Sequence, residues 1–435
     1  MRLRDFLEID FILFVAAIVL MVIGVLFIYS SGITSEGILI SNEYRRQILW
    51  GAAGFGLALI ITMMNYRRIY DLSVYLYLGT IVLLLATIVM GRLGFGTRWL
   101  RIGVFSFQAS EFAKITTILF MAWYLDNTKR NQAVFSRFLV SSLIALIPMG
   151  LILIQPDLGT ALVFIPILVG MTYIAGISAR YIGFLVLTIV LTGIFLVIPL
   201  WQSIIMRNAY PALMMLHNSR FITAICLALS AIVAIALVGF IRYHKRYFYW
   251  ICYVAGIFIL ALGTSLAAQK ILKEYQIMRL IVFMNPNVDP RGSGWHIIQS
   301  ITAIGSGGAF GRGFLQGTHS HYRYLPEQST DFIFSILSEE WGFIGGILVF
   351  TLFLVITLRL IRIMRITADT YGSYIAGGLT SMFAFHFIIN IGMTMGIMPI
   401  TGIPLLFVSY GGSALVTAMV GIGLAQSIHV RKYLY

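Results

Sequence analysis

Charge is what this chain has least of. Of its 435 residues 11% are Asp, Glu, Lys or Arg and 60% are hydrophobic, whereas a soluble domain carries about a quarter charged residues. That excludes a soluble fold. Acidic side chains are scarcest, 16 against 30 Lys and Arg. The only cysteines, Cys226 and Cys252, both fall inside apolar runs and read as small hydrophobes rather than a disulfide. The seven His show no ligand spacing, and His319 and His321, two apart, lack the third ligand a zinc-type site needs. The formal net charge is +14, yet no basic helix, aromatic platform or zinc spacing accompanies it, which argues against nucleic acid as a partner.

Long apolar runs are abundant, and mean hydropathy is +0.93. About twelve runs are long enough to cross a bilayer as helix: Ile12 to Tyr29, Ile48 to Met64, Leu72 to Met90, Phe112 to Tyr124, Phe138 to Ile154, Thr160 to Ile177, Ile182 to Trp201, Phe221 to Ile241, Phe248 to Ala268, Phe332 to Leu360, Tyr374 to Met398 and Leu405 to Ile428. The expected fold is an all-α polytopic membrane protein, residues 1–435 forming a single integral domain. Short basic clusters (MRLR, NYRRIY, NTKRNQAVFSR, ISAR, IRYHKRY, RLIRIMR, HVRK) alternate along the chain, which puts both termini in the cytosol. The first run lacks a small-residue cleavage site and reads as a retained anchor.

Between Glu274 and Asp331 the apolar pattern yields to about sixty residues of glycine, charge and turn, expected outside the membrane as a long loop over 270–330. Carboxylates in or beside apolar segments cost roughly 2.5–3.5 kcal/mol each at mid-bilayer and mark polar cavities, ion pairs or functional sites. In GTRWLRIGVFSFQASEFAK, Gly94 and Gly96 predict an irregular loop and Ser110 a helix N-cap. Glu111 and Lys114 lie on one helical face: either a simple ion pair, or Lys114 joins Arg98 and Arg101 in a cationic pocket for phosphate oxygens. In QPDLGTA, Pro156 breaks helix and leaves Asp157 to cap the next helix, to pair with Lys114, or to bind a cation. The prolines and glycines from Met398 to Ser413 predict an unwound segment lining a cavity, with Asn390 upstream. Asp331 and Glu339, eight apart, with Glu327, form either a metal or proton site or a network anchoring the loop; Glu339 is the one expected to face the cavity. Asp289 precedes Pro290, and Gly292 and Gly294 permit close approach of a ligand to the backbone. It is either a turn cap or a catalytic carboxylate.

The order GTRWL, QASEFAK, QPDLGTA, NPNVDPRGSGWHIIQSITAIGSGG, LPEQSTDFIFSILSEEWGFIG and TGIPLLFVSYGGSA resembles the SEDS proteins (shape, elongation, division and sporulation), polytopic peptidoglycan glycosyltransferases that polymerise lipid II. It resembles the RodA side of that family more than the FtsW side. The resemblance implies a core of ten spans, with 202–269 an inserted helix pair. It makes Asp289 the essential carboxylate and implies a class B penicillin-binding transpeptidase as partner, beside other elongation-complex proteins. The expected reaction is an inverting attack that builds β-1,4 glycan. One base serves the hydroxyl, while Arg98, Arg101, Lys114 and Arg291, with Mg2+ or Mn2+ as the candidate cofactor, neutralise the leaving diphosphate. His319 stands where the family often has Gln, so no role carries over to it. The competing readings are a lipid-precursor transporter, for which no internal repeat speaks, and a passive scaffold of the cell-wall machinery.

Overall fold

The computed structural model describes residues 8–93, 98–102, 105–205, 219–290 and 292–433. The helices are α1 Phe11–Ser31, α2 Glu43–Met63, α3 Leu72–Arg92, α4 Ala109–Asn127, α5 Val134–Ile154, α6 Leu158–Leu162, α7 Phe164–Ile174, α8 Ala179–Ile205, α9 Ser219–Tyr243, α10 Arg246–Ile271, α11 Glu274–Met284, α12 Ser293–Gly307, α13 Thr318–His321, α14 Ile333–Ile366, α15 Thr370–Thr394 and α16 Gly412–Val430. A hairpin of β1 Trp99–Ile102 and β2 Phe105–Gln108 precedes α4. Among the described residues ten helices are long and apolar enough to cross a membrane.

The other two expected runs are helical but fall short of that measure, for readable reasons. Helix α4 carries Glu111, Lys114 and Asp126. The α6–α7 pair parts at Val163, where Pro166 withholds the amide that Leu162 would accept. The last run is helical only from Gly412. The expected irregular loop over 270–330 instead contains α11, α12 and α13. Apolar residues at helical spacing, such as Ile297, Ile301 and Ile304, outweigh the flanking glycines.

The chain forms two compact units, Met1–Gly176 with Trp295–Tyr435, and Ile177–Gly294. In the second, α8, α9 and α10 pack together. The Thr192 and Thr264 hydroxyls meet at 2.7 Å, and the Tyr253 hydroxyl donates to the Arg180 carbonyl. The expected insertion, 202–269, lies in this unit, with 206–218 outside the described residues.

In the first unit α16 is the central helix, 89% of its apolar window being buried. It lies close against α2 because Gly423 has no side chain: a Cβ there would sit 2.7 Å from the Ala58 carbonyl oxygen. One end of this unit gathers segments expected in the cytosol. Asp10 caps α1, receives Arg359 at 2.6 Å and is bracketed by the Gln426 amide. Asp369 caps α15 and takes Arg67 at 2.6 Å and the Tyr66 hydroxyl at 2.9 Å. Tyr70 and Thr370 both donate to Asp126, and burial together with the Asp126 charge pushes the Tyr70 phenol up to about 12. These carboxylates close loops rather than perform chemistry.

The opposite end depends on a break inside α14. At Gly342 the backbone has φ 64 and ψ −159, a conformation essentially reserved for glycine. The break frees backbone groups that a membrane interior cannot solvate. The glycine-rich stretch after α12 satisfies them: Phe343 and Ile344 donate to Gly308 and Ala309, while Arg312 and Gly313 donate to the Glu339 and Glu340 carbonyls at 3.0 Å. The approach requires bare glycines, because a Cβ on Gly342 would lie 2.7 Å from the Ala309 carbonyl oxygen. The sequence GSGGAFGRG is thus a splice between two half-helices. Gly342→Ala is expected to cost about 3 kcal/mol or more from strain and lost splice bonds. Thermal unfolding in detergent checks this; a melting point equal to wild type would contradict it.

Candidate active site

Asp289 stands in the second unit at the end of a short 3-10 turn, Pro286–Val288. Asn285 starts that turn, its side chain accepting from the Asn287 amide at 3.1 Å. The Asp289 carbonyl then accepts from Gly292 and, at 3.0 Å, from Gly294. The half-buried carboxylate lies over Gly292, where an added Cβ would be 2.7 Å from Oδ1. The two glycines therefore do more than loosen the chain: they make room for the Asp289 carboxylate and carbonyl. Arg291 lies outside the described residues, as do Gly94, Gly96 and the side chain of Arg101.

The remaining sequence-predicted residues belong to the first unit. Arg98 donates to the Gln155 carbonyl at 3.0 Å and to the Pro156 carbonyl, so part of its guanidinium capacity caps the end of α5. Asp157 is the N-cap of α6, accepting from the Thr160 amide and hydroxyl and from Gln108 at 2.9 Å. Of the three roles open to it, capping is the one the geometry displays; Lys114 is paired elsewhere. Ser110 does not cap α4. The helix starts one residue earlier, at Ala109, and Gln108 occupies the cap position.

Lys114 is 1% exposed and lies 2.9 Å from Glu111. Its other neighbour is Nε2 of His386, at 3.1 Å. Nδ1 of the same ring faces the Pro404 carbonyl at 3.1 Å. With Lys114 donating to Nε2, the ring proton sits on Nδ1 and goes to Pro404. Of the two readings of Lys114, the geometry displays the ion pair rather than a phosphate pocket: the ammonium is buried, bonds Glu111 and His386, and ties α4 through α15 to the unwound segment after Met398. That segment is indeed non-helical, and it is buried rather than open. Asn390 donates to the Ile403 carbonyl, and Gln47 brackets Ser409 and Gly411. The sequence reading missed His386. The available signal was an ionisable residue within an apolar run.

Glu339 does not face a cavity. It is fully buried and accepts from the His319 amide at 2.9 Å, the Ser320 amide, the Thr318 hydroxyl and the His319 ring. It thereby caps α13. Glu340, also fully buried, accepts from Ser30 and from the Leu315 amide. Glu327 accepts from the Thr330 hydroxyl, and the Asp331 carbonyl from Asn390. Of the acidic series after the loop, Glu339 and Glu340 display the anchoring role. Among the described residues no three His, Cys, Asp or Glu gather where a metal could sit, so these residues do not fit a cation caged by protein alone. Mg2+ or Mn2+ would need oxygen ligands from substrate phosphates as well.

The apolar spans, together with the broken helices and buried ion pair of the first unit, define a multi-span membrane protein. The family model for cell cycle proteins of the FtsW, RodA and SpoVE type matches residues 10–210 and 200–434. The chain belongs to this family. It is 48% identical over 433 residues to the peptidoglycan glycosyltransferase RodA of Treponema pallidum, covering 99% of this chain and 100% of that one. It is 33% identical to stage V sporulation protein E of Bacillus subtilis, covering 96% of each, and 32% identical to the peptidoglycan glycosyltransferase MrdB of Escherichia coli K12, covering 89% and 90%. In fold it is similar to a chain in a peptidoglycan synthase complex (TM-score 0.63, 24% identity, 98% and 99% covered) and to the rod shape determining protein RodA of Thermus thermophilus (TM-score 0.59, 21% identity, 98% of each).

If Lys114 and Glu111 form a structural pair, Lys114→Met should cost about 3–5 kcal/mol, because it leaves a buried carboxylate unpaired. The double variant with Glu111→Gln should recover most of that loss. Melting curves of both variants test this, and equal destabilisation by the single and double changes would contradict it.

Proposed function

We propose that this chain is a peptidoglycan glycosyltransferase that polymerises lipid II into β-1,4 glycan and releases undecaprenyl diphosphate during cell elongation and shape maintenance. The observation that carries it is the 48% identity along essentially the whole chain to a RodA bearing that activity in its name. In this reading the protein sits in the bacterial cytoplasmic (inner) membrane with both termini in the cytosol and Asp289 outside. The proposed chemistry needs one carboxylate, and Asp289, at the end of a short 3-10 turn, is the one assigned to it.

The acceptor 4-hydroxyl oxygen attacks the donor's anomeric carbon as the bond from that carbon to the phosphate oxygen breaks, inverting the centre. The hydroxyl proton passes to the Asp289 carboxylate, and the electron pair leaves on the diphosphate. Carboxylates are weak bases toward alcohols, so proton removal accompanies bond formation and is worth a rate factor of about 10²–10⁴. A glycosidase needs a second carboxylic acid to protonate its leaving group; a diphosphate leaves without a proton once its charge is neutralised. Arg291, two residues along the chain from Asp289, is the proposed cation, with a divalent cation as a further candidate.

The partner in this reading is a class B penicillin-binding protein, a transpeptidase with a single anchor helix. The similarity to a chain from a peptidoglycan synthase complex supports it. An apolar groove of about 640 Å³, lined by Phe334, Phe343, Ile347, Phe350, Leu354 and Phe387 among others, offers a lipid-side surface for such a helix.

Asp289→Asn is expected to lower lipid II polymerisation by purified protein with its partner at least ~10²-fold, with expression and lipid II binding retained. Near-normal glycan synthesis by that variant would refute the base assignment.

A further inference from the structure

At the end of the first unit that holds the Gly342 splice, loop 33–41 meets α13 and the turn after it. Ser35 donates its amide to the His321 carbonyl, and the His321 ring faces the Ile33 carbonyl at 2.9 Å. Together they enclose a cleft of about 320 Å³ whose polar lining comes from Thr34, Ser35, Glu36, His321, Tyr322 and Arg323. Tyr322 is 60% exposed and stacks on Tyr324, ring centroids 5.9 Å apart at 29°. Tyr324 is 47% exposed, and its carbonyl receives the Trp295 indole at 2.9 Å. A polar cleft therefore opens onto a flat aromatic surface.

Backbone conformation marks the same spot. Helix α13 ends with Arg323 donating to the Ser320 carbonyl and Tyr324 to the His319 carbonyl, a termination whose left-handed residue is usually glycine. Here that residue is Arg323, at φ 56. A strained non-glycine residue held by its surroundings points to a use for its side chain. This one carries a guanidinium to the cleft, between two tyrosines.

We propose that this cleft and its tyrosine platform bind a β-1,4-linked N-acetyl amino-sugar chain, the product strand of the reaction proposed above. The chemistry matches on each side. Pyranose rings present faces of C–H bonds that pack on aromatic rings, whose faces are electron-rich. Sugar hydroxyl and acetamido groups find donors and acceptors in Ser35, Glu36 and Arg323. Tyrosines facing only lipid headgroups would form an interfacial belt; a belt does not call for an Arg–Glu cleft or for a strained arginine at its centre. The inference rests on the glycosyltransferase reading for the identity of the strand, not for the existence of the site.

The test is calorimetric titration of the purified full-length protein with chitotetraose, a soluble N-acetylglucosamine oligomer, alongside Tyr322→Ala and Arg323→Gly. The wild type should bind saturably, and each variant should bind ~10-fold or more weakly. Arg323→Gly should melt no lower than wild type, because glycine relieves the strained position, which separates lost binding from lost folding. At matched lipid II consumption both variants should yield shorter strands. No binding by the wild type, or equal affinity in all three proteins, overturns the proposal, as does a change confined to partitioning into lipid vesicles. Oligomer binding by a wild type that fails to polymerise lipid II would support the subsite and count against the catalytic reading instead.

Discussion

The constraint on which the rest depends is that every backbone or charged group inside an apolar body must find its partner within the protein. Unpaired, such groups cost several kcal/mol each in hydrocarbon. Among the described residues of the first unit, three interruptions of helix are closed by named partners from within. The break at Gly342 is closed by the backbone of residues 308–313. The break after Gln155 is closed by Arg98, Asp157 and the Gln155 side chain, which donates to Leu84 and Thr87. The unwound segment after Met398 is closed by Gln47, His386 and Asn390. The scarce polar residues are thus mostly consumed in keeping irregular backbone inside a membrane.

That accounting narrows where chemistry can occur. Glu111, Asp157, Glu339 and Glu340 each have partners that explain their burial without substrate. Glu111 and Lys114 cancel each other's charge, and the two glutamates hold α13 and the splice loop against α14. Asp289 lies half-buried on a tight turn, with Gly292 and Gly294 leaving room for its carboxylate and carbonyl. A single carboxylate suffices when the leaving group is a diphosphate, whose stabilisation is a matter of positive charge rather than of a proton.

The helices were the most legible feature, since a bilayer demands long apolar runs and the composition supplied them in order. Two breaks were legible too, from Pro156 and from the prolines and glycines after Met398, because these residues act locally; the breaks at Val163 and Gly342 fell inside runs read as single spans. Partner choice was less so. Nothing in the spacing of Lys114 pointed to His386, which is distant in sequence, and Glu339 read as cavity-facing because its true partners, the amides of a four-residue helix, leave no mark on composition. Glycine was ambiguous for the same reason: the GSGGAFGRG stretch read as loop, whereas its glycines permit a backbone approach that only the fold reveals.

The central claim is that residue 289 faces the side on which lipid-borne sugars are presented. The most direct measurement is labelling of Asp289→Cys, with Cys226 and Cys252 replaced by Ala, by a membrane-impermeant maleimide in spheroplasts. Labelling from outside without permeabilisation is the predicted result. Labelling only after the membrane is opened would place the carboxylate on the cytosolic face and contradict the account.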